Sequence, residues 1–361
     1  VGFVPLLDAA PIIAASERGY FADEGLRVVL ERQIGWGNVR DKLVYGQLHA
    51  SHALFGMPPL SVLDRNGFST PLVSIMALGT GGDAITLARK WTDTGIDSAE
   101  SLARRLKPRP AEVPVLAHVF GCSVHHYLFR EWLALGGVEV DRDVRLIILP
   151  PPQMARQIGA GTVDGFCVGE PWNTVAESRG LGRIVAATTE VLPMHPDKVL
   201  AVSRRWLAGH GDQATAVIRA ILRSCAFCDA AENRGWLADV LSRPAYLDLP
   251  ADLLLKSLTA QRWSRGGTRQ TDPVRSCAPA TTFPSVTQAA WLLGQMVRWG
   301  HLPRNTAVPD AARAAVDTAA YRKAAEVIGL NCPSDDAPPM RLKSGSLEFA
   351  SFQKTLLELR G

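Results

Sequence analysis

Several things this sequence lacks narrow what it can do. No stretch reaches 18 consecutive apolar residues, so no segment reads as a membrane-spanning helix. Surplus charge is scarce as well. Lys and Arg number 39 against 35 Asp and Glu, and pairs such as Arg104–Arg105 and Arg204–Arg205 suit solvated helix faces, so no direct nucleic-acid partner is expected. Neither GxSxG, a P-loop, HExxH nor GxGxxG after a strand occurs, which leaves no signature of catalysis and none of a cofactor. The six cysteines, Cys122, Cys167, Cys225, Cys228, Cys277 and Cys332, follow neither zinc spacing nor a disulfide framework. Cys225 and Cys228 fall at i and i+3 of an expected helix and read as core thiols, and unpaired thiols lean toward a reducing compartment. The chain opens on Val1 inside an expected strand with no leader pattern, so its start leaves the compartment open.

What is present alternates. Val144 to Leu149 is an apolar run expected as a strand buried on both faces, and Pro150–Pro152 then lead into a helix containing Met154 and Ile158. Gly159 and Gly161 close that helix. A second buried strand, Asp164 to Val168, delivers Gly169, Glu170, Pro171 and Trp172 to the carboxyl edge of a sheet. Earlier, strands at 1–5, 26–30, 50–55 and 72–78 alternate with helices at 9–18, 38–45 and 60–65, Asp8 being placed to cap the first. That rhythm implies an α/β fold with mostly parallel sheets.

The glycine cluster Gly79–Gly82 and the stretch Pro193–Lys198 read as two crossings between two α/β lobes. The expected division is residues 1–83 with 199–361 as lobe 1, carrying the C-terminal helices, and residues 84–198 as lobe 2. A ligand cleft is expected between them. From Arg204 the pattern turns helical, with irregular stretches at 263–284 and after Asn331.

Seven stretches together resemble the substrate-binding proteins of the nitrate and bicarbonate ABC transporters, and equally the cytoplasmic nitrate sensor on the same scaffold. They are GFVPLLDAAPIIAASERGYFADEGL, GWGNVRDKL, DAITLA, HHYLFREWLALGG, RLIILPPPQMARQIGAGTVDGFCVGEPWN, HPDKVLAVSRRW and GQMVRWG, in order along most of the chain. The resemblance implies the two-lobed periplasmic-binding-protein type II fold and a small oxyanion ligand, nitrate or nitrite. The implied partner is an ABC permease, with a place outside the cytoplasmic membrane. In the sensor reading the partner is an RNA-binding antiterminator and the place is the cytoplasm. A monomer is expected in either case.

The resemblance places Trp36 in the pocket wall, with Gly37 and Asn38 as backbone donors at a helix start. It places His125 on the anion, with His126 where an asparagine is usual. Lys198 matches the lysine of the nitrate binders, whereas the bicarbonate binders have an acidic residue there that helps hold a metal, so no metal is expected. Asp83 stands where an amide is usual, and an ionised carboxylate accepts hydrogen bonds but repels anions. Either it pairs with Lys198 or His125, or it is turned out of the pocket, or the ligand is another small nitrogen compound. Glu170 belongs to the site or to contacts between the lobes. A Cys122–His125–Asp83 set is conceivable as a catalytic triad, but nothing in the sequence supplies an oxyanion hole.

Overall fold

The computed structural model describes residues 1–64, 69–107, 112–259, 261–263, 269–271, 279–342 and 345–349. Cys277, the end of the expected helix at 60–65, much of the stretch 263–284 and the last twelve residues lie outside them.

Among the described residues, ten strands build the two five-stranded sheets, and two short two-stranded sheets are separate from them. The ten are β1 (Gly2–Phe3), β2 (Glu31–Arg32), β3 (Ala50–Leu54), β4 (Leu72–Ala77), β5 (Asp83–Ala88), β6 (Val115–His118), β7 (Arg145–Ile148), β8 (Gly165–Gly169), β9 (Gly182–Ala187) and β10 (Lys198–Ser203). The first sheet runs β2-β1-β3-β10-β4 and the second β7-β6-β8-β5-β9. Each heads one lobe.

The sheets are mixed, where the alternation predicted mostly parallel ones. β1 pairs parallel with β2 and β3, and β6 with β7 and β8, as β-α-β units require. β10 runs antiparallel to β3 and β4, and β5 to β8 and β9. The reason is the crossing itself. A strand arriving from the other lobe enters at the edge where the parallel strands end, so its direction is reversed. Asp83 therefore pairs with Gly169, the last residue of β8, and Lys198 with Leu54, the last residue of β3. Both crossing strands thus begin at the sheet edge where open α/β folds bind ligands.

The two crossings lie side by side. Thr80 bridges Pro196, and the Gly81 amide donates to the His195 carbonyl at 3.3 Å. Gly79, Gly81 and Gly82 all have positive φ, which side chains resist, and this accounts for the glycine cluster.

Other expectations shift. Residues 26–30, expected as a strand, form none, and the two-residue β2 follows directly after them. β7, expected to be buried on both faces, is an edge strand with Arg145 and Ile148 exposed, whereas β8 is buried throughout. A one-stretch reading of aliphatic content cannot separate an edge strand from a central one.

The helices that matter for the site are α1 (Ala10–Glu17), α2 (Trp36–Val44), α3 (Val124–Leu135), α4 (Trp172–Ser178), α5 (Gly211–Asp229), α6 (Ala251–Thr259) and α7 (Val286–Arg298). Cys225 and Cys228 both lie on α5, as expected. α5 packs its apolar side on the first lobe, where Ile218 and Ile221 join Ile12, Ile75 and Leu200. The helical extension also reaches the second lobe. Ser257 of α6 donates to Glu170, Arg298 of α7 meets Glu131 of α3 at 2.5 Å, and His301 lies 2.8 Å from the Tyr127 hydroxyl.

The lobes are closed on each other. One apolar cluster runs from Leu6 and Leu54 through Val119, Leu128 and Phe166 to Leu292. The Leu7 amide donates to the Glu170 carbonyl at 2.8 Å and Trp172 Nε1 to the Pro5 carbonyl at 3.0 Å. Gly56 in the first lobe lies so close to Cys122 in the second that a Cβ there would overlap the Cys122 carbonyl oxygen.

Candidate functional site

Four loops converge at the sheet edges. The turn after β1 carries Asp8, β3 carries His52, the crossings supply Asp83, His195, Asp197 and Lys198, and α3 supplies His125 from its first turn. All seven side chains are buried. α3 starts where it does because Ser123 caps it, its hydroxyl accepting from the His126 amide at 3.2 Å, and the next position turns His125 inward.

Lys198 is held between two carboxylates. Its ammonium lies 2.9 Å from Asp8 Oδ2 and in direct contact with Asp197 Oδ2. His52 Nε2 meets Asp8 Oδ1 at 2.7 Å. On the other side His125 Nε2 lies 2.9 Å from Asp83 Oδ1, and its Nδ1 lies 3.5 Å from Asp197 Oδ1. His195 Nε2 stands 3.9 Å from Asp83 Oδ2, and Thr188 bridges by donating to the Asp83 carbonyl at 3.0 Å. The result is a continuous row of ionisable groups joining the two lobes.

The row shifts its own members. Burial opposes the charge of Asp8, but Lys198 and His52 more than offset it and hold the carboxyl at about 2. Asp197 goes the other way, raised to about 7 by burial and by neighbouring Asp83. Asp83 is drawn below the usual carboxylate range because His125 and Lys198 outweigh its burial. Lys198 is raised despite burial, by Asp197, Asp8 and Asp83.

Trp36 closes one wall. It is 2% exposed, its ring centroid is 5.6 Å from the Lys198 ammonium, and its Nε1 is buried with no hydrogen-bond partner. A buried indole N–H without a protein acceptor can donate to a ligand. Gly37 and Asn38 follow it in the first turn of α2, where amide hydrogens have no acceptor inside the helix; the Asn38 side chain itself is exposed.

Trp36, Asp83, His125 and Lys198 are therefore brought together. His126 is not. It meets other partners, its Nδ1 3.0 Å from the Gly121 carbonyl and its Nε2 accepting from Arg130 at 2.8 Å, with its ring stacked on His118. Glu170 sits at the junction of the lobes, accepting from the Thr174 amide at 3.1 Å and from Ser257 at 3.0 Å. Asp8 makes no helix cap, because its carboxylate is committed to His52 and Lys198.

Asp8, His52, His195 and Asp197 were absent from the expected site residues. A signal existed for Asp8, which follows the end of the first parallel strand, and for Asp197, which precedes Lys198 on the second crossing. His52 lies inside a strand and offered none.

Asp83, His125 and Asp197 bring donor atoms within 4.8 Å of one another, close enough for one metal ion. Each also lies beside another ionisable group of the protein's own, however. Lys198 lies on Asp197, and both nitrogens of His125 lie within 3.5 Å of carboxylate oxygens. The triad alternative fails on chemistry. Burial pushes the Cys122 thiol up to about 12, far from an activated nucleophile.

Among known proteins, residues 1–242 match the profile described as the NMT1-like family. The chain is 31% identical over 341 residues to the nitrate/nitrite binding protein NrtA of Nostoc, covering 91% of this chain and 77% of that one. It is 35% identical over 312 residues to the bicarbonate transport ATP-binding protein CmpC of Synechocystis, covering 84% of this chain and 46% of that one. The chain spans about half the length of the curated ATP-binding relatives it matches. The crystal structure of periplasmic nitrate-binding NrtA from Synechocystis superposes with a TM-score of 0.92 at 26% identity, covering 99% of this chain and 97% of that one. With two lobes, two crossings and these matches, the chain belongs to the NMT1-like family and, within it, to the substrate-binding proteins of nitrate and bicarbonate ABC transport.

Proposed function

We propose that this protein binds a small oxyanion, nitrate or nitrite, between its lobes and presents the closed form to an ABC permease outside the cytoplasmic membrane. One observation carries the reading. Trp36 and Lys198 from one lobe and Asp83 and His125 from the other meet at the ends of the crossing strands, where closure buries a solute completely. Gly37 and Asn38 add first-turn amides on the same side. Residues 1–83 with 199–361 and residues 84–198 are the expected halves; because β5 begins at Asp83 and β10 at Lys198, Asp83 goes with the second half and Lys198 with the first. The relatives named for nitrate support nitrate over bicarbonate, as does a lysine rather than an acid at position 198.

A cytoplasmic sensor acting on an antiterminator uses the same closure, and a ligand shifts the open and closed forms only by its preference for one of them. No described helix is long and apolar enough to cross a membrane. Asp83 favours a second reading of the ligand, a neutral nitrogen compound that accepts no penalty from a carboxylate.

Calorimetry with nitrate, nitrite, bicarbonate plus calcium, and urea tests the reading. Saturable heat with nitrate or nitrite is expected. Heat with urea alone overturns the oxyanion, and heat with bicarbonate only in the presence of calcium overturns the choice of nitrate.

A further inference from the structure

The stretch GQMVRWG closes α7, and His301 follows it. Gly300 has a φ of 75°, the left-handed region that glycine tolerates, and the His301 and Leu302 amides both donate to the Met296 carbonyl, at 2.8 and 3.1 Å. The chain thus folds back over the last turn of α7 and presents Arg298, Trp299 and His301 to α3, the helix whose first turn supplies His125. Arg298 pairs with Glu131 at 2.5 Å, the Arg130 guanidinium lies 5.2 Å from the centre of the Trp299 ring, and His301 Nδ1 stands 2.8 Å from the Tyr127 hydroxyl. His301 also stacks on His126, with ring centroids 5.1 Å apart, and His126 stacks on His118 of β6 at 4.0 Å. Three imidazoles in a column therefore tie the second sheet to the C-terminal extension.

Two of the three stay neutral. His126 gives its Nδ1 hydrogen to the Gly121 carbonyl at 3.0 Å and accepts from Arg130 at Nε2, and His118 gives its Nδ1 hydrogen to the Phe120 carbonyl at 3.1 Å. Burial holds both well below the ordinary histidine range. His301 is exposed and open to solvent protons. The titratable and charged groups around it are Arg130 and Asp141, joined by two hydrogen bonds of 2.7 Å, the Arg298–Glu131 pair of the same two helices, and the neutral Tyr127, His126 and His118. A neutral His301 accepts the Tyr127 hydroxyl hydrogen at Nδ1. A protonated one has no lone pair there, turns an N–H on that hydroxyl, and adds a positive charge beside Arg130.

We propose that residues 298–301 form a pH-sensitive latch, which holds the extension on α3 and favours the closed lobes while His301 is neutral, and which a proton on His301 releases. The inference rests on the reading above, since it takes closure to be the step that buries the solute. Latched, His301 lies beside Arg130, and burial and that charge lower its affinity for a proton, with Asp141 offsetting only part. Released into water, the ring returns to its ordinary value near 6.5. Proton binding therefore favours the released form: the latch contributes fully above about 6.5 and weakens as pH falls below it. The proton comes from solvent and returns to it.

The test is nitrate calorimetry on the whole chain at about pH 7.5 and about pH 5.5, with X-ray scattering at both values without added nitrate, for the wild type and His301→Asn. Asparagine offers Tyr127 an acceptor but cannot take up charge. The expected result is wild-type affinity up to about tenfold weaker at the lower pH and a larger radius of gyration there, with both changes absent from His301→Asn. Nitrate does not titrate in this range, and Asp197, which stands at about 7, is the same in both proteins, so the difference between them reports His301 alone. Equal pH dependence in the two proteins, or a wild-type affinity that does not fall with acid, overturns the latch and leaves the oxyanion reading intact. If nitrate binds at neither pH, that reading falls and scattering decides the latch: an equal radius at the two pH values overturns it, and an acid expansion confined to the wild type upholds it. His301→Gln, with the same acceptor on a longer stem, takes the place of His301→Asn if the latter does not fold.

Discussion

The Lys198 ammonium lies 2.9 Å from Asp8 Oδ2, so the lysine that aligns with the nitrate binders is not a surplus charge. It is already shared by two acids, Asp8 and Asp197. Its first task is to make those acids tolerable inside the cleft, and its second is whatever it offers a solute.

Removing that cation should destabilise the fold more than a surface change would. Lys198→Met leaves two buried carboxylates uncompensated, a loss on the order of 3–5 kcal/mol in urea unfolding. Adding Asp8→Asn should recover part of it, since the amide needs no counter-charge. Equal stability of Lys198→Met and wild type would mean the pair is not buried as described.

Stability should respond to pH in two opposing windows. Asp8, ordinarily at 3.8 and here at about 2, contributes stability above 3.8 that is lost as pH falls toward 2. Asp197 is raised from 3.8 to about 7, so the folded chain binds more protons than the unfolded one between those values. Stability from this group therefore falls as pH rises from 3.8 to 7 and is level above. Urea midpoints across the range should show that decline, and Asp197→Asn should flatten it while keeping the acid limb.

Closure should depend on Gly56. Its φ is −75°, ordinary for any residue, so an alanine there strains nothing locally. The new Cβ would instead overlap the Cys122 carbonyl across the cleft. Gly56→Ala should fold normally, scatter X-rays as a more open particle and lose at least about tenfold in ligand affinity, roughly 1.4 kcal/mol. An unchanged radius of gyration with nitrate bound would contradict the closed arrangement.

The C-terminal helices should act on the same motion. Ser257 of α6 donates to Glu170 beside the cleft, joining the extension to the second lobe. Ser257→Ala should cost about 1 kcal/mol of stability from the closed form and weaken ligand binding by a similar factor. Thermal unfolding with and without ligand measures both.

Much of this was legible in the sequence and some was not, for identifiable reasons. Strand and helix periodicity, proline stops and the glycine cluster exposed the α/β rhythm and the two crossings, because those are local signals. Trp36, Asp83, His125 and Lys198 stood out by resemblance, and topology explains why they meet: Asp83 and Lys198 are the first residues of the reversed strands. Asp8 was read as a helix cap because a lone acid before a helix usually is one. Its true partner, Lys198, is 190 residues away, and no local rule reaches that far. His126 and His125 are neighbours in sequence but about 100° apart around α3 and meet different partners, a distinction only the packing of that helix decides. The edge position of β7 was hidden for the same reason.

The most direct test is a crystal structure of the protein grown with nitrate. The account predicts planar density enclosed by Trp36, His125 and Lys198, within hydrogen-bond reach of Trp36 Nε1. Nitrate bound elsewhere, with the Lys198–Asp8–His52 and Asp83–His125–Asp197 contacts undisturbed, would contradict it.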